Sequence, residues 1–194
     1  MDRHLKTLLD ELAAFGAAHD GDPANHTGRL LNITPATGEF LALLAKATGA
    51  RRILEIGTSN GYSTLWLADA VADVGGAVTT IELAQTKIEM ARANFARAGL
   101  DTRITLLEGD AGTMLESLFD ASFDLIFLDA QRSAYPDWWP DIRRVLRRGG
   151  LLVVDNATSH AEEMAGFTAA VRADRAFTAS LVPVGKGEFL AVKA

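Results

Sequence analysis

Hydrophobic positions along the chain change rhythm near residue 52. Before it, apolar residues recur at three- and four-residue steps. Leu5, Leu8, Leu9, Leu12 and Phe15 fall on one face of a helix over 5–18, the spacing of an amphipathic α-helix. Residues 21–32 are polar and irregular. Thr34-Pro35 then opens a second helix, with Thr as N-cap and Pro at the first helical position. Its expected apolar face is Phe40, Leu41, Leu43, Leu44 and Ala47.

After residue 52, short apolar runs alternate with helical stretches. The runs at 53–56, 77–81, 104–107, 125–128 and 151–154 are nearly continuous in apolar or β-branched residues, as strands buried on both faces are. Helices are predicted near 62–73, 84–98, 111–119 and 136–147, with Gly99 as a C-terminal stop. Strand–helix alternation predicts an α/β fold, a parallel sheet covered on both faces. A helix over Ala161–Ala173 precedes two further apolar segments, Phe177–Val182 and 189–192. Pro183, Gly185 and Gly187 join them, which predicts an antiparallel hairpin at a sheet edge.

Composition narrows the class. The 194 residues predict one domain, with 1–33 as a helical N-terminal extension. Cysteine is absent, so disulfides, zinc–thiolate sites and a Cys nucleophile are excluded. Asp and Glu number 25 against 19 Lys and Arg, a net charge of −6. Basic residues come in pairs such as Arg51-Arg52 and Arg147-Arg148 rather than in a stripe, so no nucleic-acid partner is expected. The opening residues carry Asp2, Arg3, His4, Lys6, Asp10 and Glu11, unlike a secretory signal. No apolar run reaches the ~18 residues of a membrane span. A cytoplasmic protein is expected.

In parallel sheets, ligands bind beyond the carboxyl ends of the strands. The first strand runs into Gly57-Thr58-Ser59-Asn60-Gly61-Tyr62-Ser63. Its glycine spacing differs from the GxGxxG of dinucleotide folds, which disfavours a nicotinamide dehydrogenase. The segment is either an ordinary strand-to-helix turn or a loop over a nucleoside without phosphates. Glu82 ends the second strand, where a carboxylate accepts ribose hydroxyls. Asp110 follows the third, as an N-cap, as a partner of an adenine amino group, or as both. Asp129 and Asp155-Asn156 end the fourth and fifth strands. Two carboxylates and an amide suit Mg²⁺, Mn²⁺ or Ca²⁺ rather than zinc; helix capping is the alternative reading.

The stretch from Thr34 to Lys193 resembles the cation-dependent small O-methyltransferases, the group of catechol and caffeoyl-CoA O-methyltransferases. The resemblance rests on TPATGEFLALLAKATGARRILEIGTSNGYSTLWLA, TTIE, EGDA, FDLIFLDA followed by Tyr135, GGLLVVDN and VPVGKGEFLAVK. It implies the class I S-adenosylmethionine-dependent methyltransferase fold, Rossmann-like, with a seven-stranded, mostly parallel sheet and a C-terminal antiparallel hairpin. It also implies that Gly57, Thr58, Gly61, Tyr62 and Ser63 line the methionine and ribose of the cofactor, and Glu55 joins that set. Glu82 then holds the ribose hydroxyls, and Asp110 and Ala111 sit at the adenine. Asp129, Asp155 and Asn156 bind a divalent cation, Mg²⁺ first, and Asp129 also faces the cofactor's amino group. The implied acceptor is a phenolic or catechol-like small molecule, and the implied assembly is a homodimer.

One position departs from the family. Where relatives usually carry a lysine, three residues after Asp129, this chain has Arg132. A guanidinium is no base near neutrality. Either Arg132 stabilises a phenolate while water takes the proton, or His160 is the base, or the acceptor is already anionic. An RNA nucleoside as acceptor, and cofactor binding without catechol methylation, are the alternative functions. Trp138 and Trp139 are read chiefly as packing or interface residues, one of them an alternative roof for the acceptor pocket. Lys186 is expected to be solvated, and His26 to be an ordinary surface histidine.

Overall fold

The computed structural model describes residues 1–25 and 28–194; His26 lies outside the described residues. Among the described residues, seven α-helices and seven strands form three layers. Strands β1 (Arg52–Ile56), β2 (Ala77–Glu82), β3 (Ile104–Glu108), β4 (Phe123–Leu128), β5 (Leu146–Val154), β6 (Phe177–Val182) and β7 (Glu188–Lys193) make one sheet. Their order is β3-β2-β1-β4-β5-β7-β6. The β1, β2, β3, β4 and β5 ladders are parallel, and β7 runs antiparallel between β5 and β6. The expected α/β sheet and closing hairpin are therefore present.

Alternation along the strands sorts residues to the two faces. Ile53, Leu125, Phe127 and Val153 pack with α1 (Arg3–Gly21), α2 (Pro35–Ala47), α3 (Tyr62–Ala72) and α4 (Gln85–Ala98). Leu54, Ile126, Leu128, Leu152 and Val154 pack with α5 (Ala111–Ser117), α6 (Tyr135–Val145) and α7 (Ala161–Ala173). Leu5, Leu8, Leu9 and Leu12 of α1 belong to the first of these cores, so the N-terminal helix is anchored on α3 and α4.

Two predicted stripes shift at their edges. Phe15 is half exposed and lies beside His19, whereas Gly16 is buried against Asn32. In α2 the buried face is Thr37, Gly38, Leu41 and Ala45, while Leu43 and Ala47 are exposed. The cause is local. Gly38 sits directly under the Trp66 indole, with a built Cβ only 2.5 Å from its ring, so α2 turns its small residues toward α3. Thr34 caps α2 as expected, accepting from the Thr37 amide at 3.1 Å.

Sheet register sets the site. Ile56 pairs with both Ile81 and Leu128, and Leu128 with Val154. The residues one step beyond, Gly57, Glu82, Asp129 and Asp155, therefore emerge along one line. That line crosses the β1/β4 boundary, where strand order reverses and a crevice opens.

Candidate active site

A cavity of about 680 Å³ lies over these strand ends, within the size range of small-molecule sites. One wall is the turn from β1 into α3. Gly57 adopts φ +103°, and a Cβ there would run into the Asp129 carbonyl; only glycine permits so close a crossing of the two strand ends. The turn hangs on β2: the Gly57 amide donates to Ile81 O at 3.0 Å, and the Ser59 amide to Glu82 Oε2 at 2.8 Å. The other Glu82 oxygen accepts from the amides of Leu83 (3.1 Å) and Ala84 (2.9 Å). Glu82 thus shapes the loop it shares the cavity with, and its remaining lone pairs are available to a ligand.

Thr58, Tyr62 and Ser63 line the same wall. Gly61 does not, because its α-carbon faces the Phe95 ring. Glu55 also lies behind the wall. It is fully buried and accepts from the hydroxyls of Ser63 (2.5 Å), Thr64 and Thr80 (2.6 Å). Burial pushes its carboxyl up to about 7, against the pull of those three hydroxyls. Glu55 orients Ser63 rather than facing the cavity. Asn60 lines the cavity, and its buried Nδ2 has no partner among the described residues. Farther along, Asp110 caps α5 through Oδ1, accepting from the Thr113 amide at 3.0 Å. Ala111 lines the cavity next to it.

At the opposite end, the β4 and β5 termini converge. Asn156 Nδ2 lies 3.1 Å from Asp129 Oδ1 and 3.0 Å from Asp155 Oδ2. Among the described residues no N–H or hydroxyl donates to the buried Asp155 Oδ1, and the Glu188 carboxyl neighbours Asp155. Asp129 is raised by burial first and then by the charge of Asp155. Glu188, a residue that the apolar alternation of β7 gave no reason to single out, lies behind them. It is fully buried, its Oε1 accepts from Thr37 Oγ1 at 3.2 Å, and burial and Asp155 raise it too. Buried like charges of this kind are held by protons or by a cation. Among the described residues no cluster of three His, Cys, Asp or Glu has metal-site spacing; here the third donor is an amide. A half-turn of the Asn156 side-chain amide exchanges the places of its oxygen and nitrogen. Turned over, Asn156 completes three hard-oxygen donors around one point, a set that suits a divalent cation.

Tyr135 braces this end, its hydroxyl accepting from the Ala130 amide at 2.8 Å and donating to Ala130 O at 3.0 Å. Arg132 and His160 both line the cavity. Arg132 Nε donates to Glu163 Oε2 at 2.8 Å, which draws the Glu163 carboxyl below its usual range. His160 Nδ1 lies 2.9 Å from Ser159 Oγ, which reaches Asn156 Oδ1 at 3.2 Å. Trp138 lines the cavity at the Gly112 end, near Asp110, while Trp139 packs on Phe167 and Phe177. Lys186 is half-buried in the cavity wall rather than solvated.

Residues 29–33 form a strap over the cavity that sequence reasoning missed. Asp20 holds it, accepting from the amides of Leu30 and Leu31 at 2.7 Å each, and Ser59 Oγ donates to Leu30 O at 2.7 Å. The anchoring aspartate lies ten residues away in the last turn of α1, and no periodicity signals such a bond.

Comparison with known proteins decides the class. A family model described as O-methyltransferase matches residues 5–194. The chain belongs to the O-methyltransferase family. A Mycobacterium avium protein carrying an O-methyltransferase name is 38% identical over 203 residues, covering 98% of this chain and 90% of the relative. An O-methyltransferase of Bacillus cereus, solved in complex with SAH, superposes with a TM-score of 0.82 at 28% identity, over 97% of this chain and 91% of that one. TomG of Streptomyces achromogenes, an O-methyltransferase of tomaymycin synthesis solved with SAM, superposes at 0.80 with 28% identity, covering 100% and 91%. The methyltransferase has no helix among its described residues long and apolar enough to cross a membrane.

Proposed function

We propose that this methyltransferase moves the methyl group of S-adenosylmethionine to a hydroxyl of a catechol-like or other hydroxylated aromatic small molecule, assisted by a divalent cation. One observation carries the reading. The loop-and-carboxylate wall of Gly57, Ser63, Glu82 and Asp110 shares a single cavity with Asp129 and Asn156, and Asp155 lies buried just behind them, bonded to Asn156. The SAH and SAM complexes of the Bacillus and Streptomyces relatives support the donor. When bound, the donor supplies an electrophilic methyl on a cationic sulfur, and a cation held by Asp129, Asp155 and Asn156 supplies Lewis acidity toward a phenolic oxygen.

The chain's own residues do the positioning. Glu82 presents acceptor lone pairs to the ribose hydroxyls. Asp110, whose cap uses only Oδ1, and Ala111 bound the adenine end. Asn60 Nδ2 and the α3 N-terminus offer donors to the methionine carboxylate. As the oxygen–methyl bond forms, the methyl–sulfur bond breaks and its electron pair returns to sulfur. The hydroxyl proton must leave as well. With Nδ1 engaged by Ser159, His160 Nε2 is the ring nitrogen left to take it, and the arginine charge at 132 stabilises the anionic oxygen. Holding the two reactants in contact distance supplies about 7–11 kcal/mol of barrier reduction.

Methyl transfer from labelled S-adenosylmethionine to a catechol panel, with and without EDTA, tests the reading. Turnover that EDTA abolishes and Mg²⁺ restores is expected; turnover indifferent to EDTA removes the cation, and none at all removes the acceptor class. By resemblance the assembly is a homodimer, which sedimentation velocity checks.

A further inference from the structure

Arg132 is not the sole basic residue in the cavity wall, because a lysine enters from another element. Lys186 sits in the turn between β6 and β7 and lines the cavity together with Asp129, Asn156 and His160. Its backbone is clamped to the turn that carries Asn156. Lys186 O accepts from the amides of Thr158 (3.1 Å) and Ser159 (3.0 Å), and Gly187 O accepts from the Ala157 amide at 2.8 Å. Two glycines at positive φ permit the clamp. A Cβ on Gly185 would strike Thr37, and one on Gly187 would strike Thr158, 2.6 Å from its Cβ. Glu188, the next residue, is tied to Thr37. The turn therefore presents Lys186 from a fixed base.

The ammonium is uncommitted. No ion pair among the described residues includes Lys186, whereas Arg132 shares its charge with Glu163. Its positive charge is felt at Asp129, where it opposes the upward push of burial and Asp155. A lysine is a compact point charge with three donors on a flexible stem, suited to follow an oxygen whose charge changes during reaction.

We propose that Lys186 is a catalytic residue of the methyl transfer, its ammonium meeting the acceptor oxygen and stabilising the negative charge with which that oxygen attacks. This rests on the phenolic acceptor argued above. Electrostatic donors of this kind are worth about 10²–10³-fold in kcat. The ammonium stays protonated throughout: the hydroxyl proton leaves by way of His160 or water, the oxygen–methyl bond forms, and sulfur keeps the electron pair of the bond that breaks.

Lys186→Met removes the charge at similar volume, and Lys186→Arg returns it. The readouts are kcat and KM for the best acceptor of the catechol panel, S-adenosylhomocysteine affinity by calorimetry, and the absorbance of bound 4-nitrocatechol at a pH where the free probe is protonated. Expected for Lys186→Met is a kcat loss of about 10²-fold, unchanged S-adenosylhomocysteine affinity, and loss of the ionised probe spectrum, with Lys186→Arg recovering much of both. A kcat within threefold of the parent protein (a margin of about 0.6 kcal/mol), or a rise in KM alone, overturns the assignment and leaves the phenolic reading intact. A parent protein that neither methylates the panel nor binds 4-nitrocatechol overturns that reading and this assignment with it.

Discussion

The two ends of the cavity are built differently. The donor end comes from consecutive strand terminals and the turns after them, within residues 56–111. Two of its carboxylates also serve the fold: Glu82 ties the Gly57 turn and Asp110 caps α5. The acceptor end is assembled from the 29–33 strap, the turn after β4, the start of α7 and the β6–β7 turn. Its charged groups sit beside buried carboxylates with little fold-level duty. A donor shared by many enzymes is met by the sheet itself, whereas the acceptor is met by loops that a family can vary independently.

That contrast can be broken by mutation. The largest effect is expected at the border of the two ends: Asp129→Ala should lower kcat by about 10³-fold with the far-ultraviolet circular dichroism unchanged. A variant keeping a tenth of the activity would detach the β4 terminus from the chemistry. Glu82→Ala comes next. Losing charge-assisted bonds of roughly 1.5–3 kcal/mol should weaken S-adenosylhomocysteine binding about 10- to 100-fold in calorimetry, and lower the melting temperature as well, because three amides lose their acceptor. Binding intact but stability lost would make Glu82 a purely structural residue. At the acceptor end, His160→Ala should depress kcat more than Arg132→Lys, both leaving donor affinity alone; equal or reversed effects would take His160 out of proton transfer.

The smallest effect lies behind the donor wall. Folded Glu55 titrates at about 7, against an ordinary value of 4.5, so the folded protein keeps a proton that the unfolded chain has released. The stability it contributes is complete below about pH 4.5 and is lost as pH rises through about 7. Melting temperature should fall across that window, and Glu55→Gln should flatten part of the fall. An unchanged slope would mean that Glu55 is ionised in the fold.

The same division explains what could be read from sequence. Strands such as β1 and β4 announce themselves because they are buried on both faces, and register then carries Gly57, Glu82, Asp129 and Asp155 to one line without further information. Cap chemistry at Thr34 and Asp110 is equally local. The hidden parts depend on bonds between distant residues. The strap depends on Asp20 and Ser59, Lys186 depends on amides of the 157–159 turn, and Glu188 is buried because α2 lies over β7's start. Alternation also misplaced the edge of α2, since Trp66 demanded glycine where a leucine stripe was expected.

The reversed strand β7 has an implication for biosynthesis. It follows β6 in the chain, yet it fills an interior place between β5 and β6. Until it arrives β6 has no ladder to join, and Lys186 and Glu188 have no fixed address. A nascent chain can complete its donor end before β7 has been made; its acceptor end comes into being only once β7 has inserted.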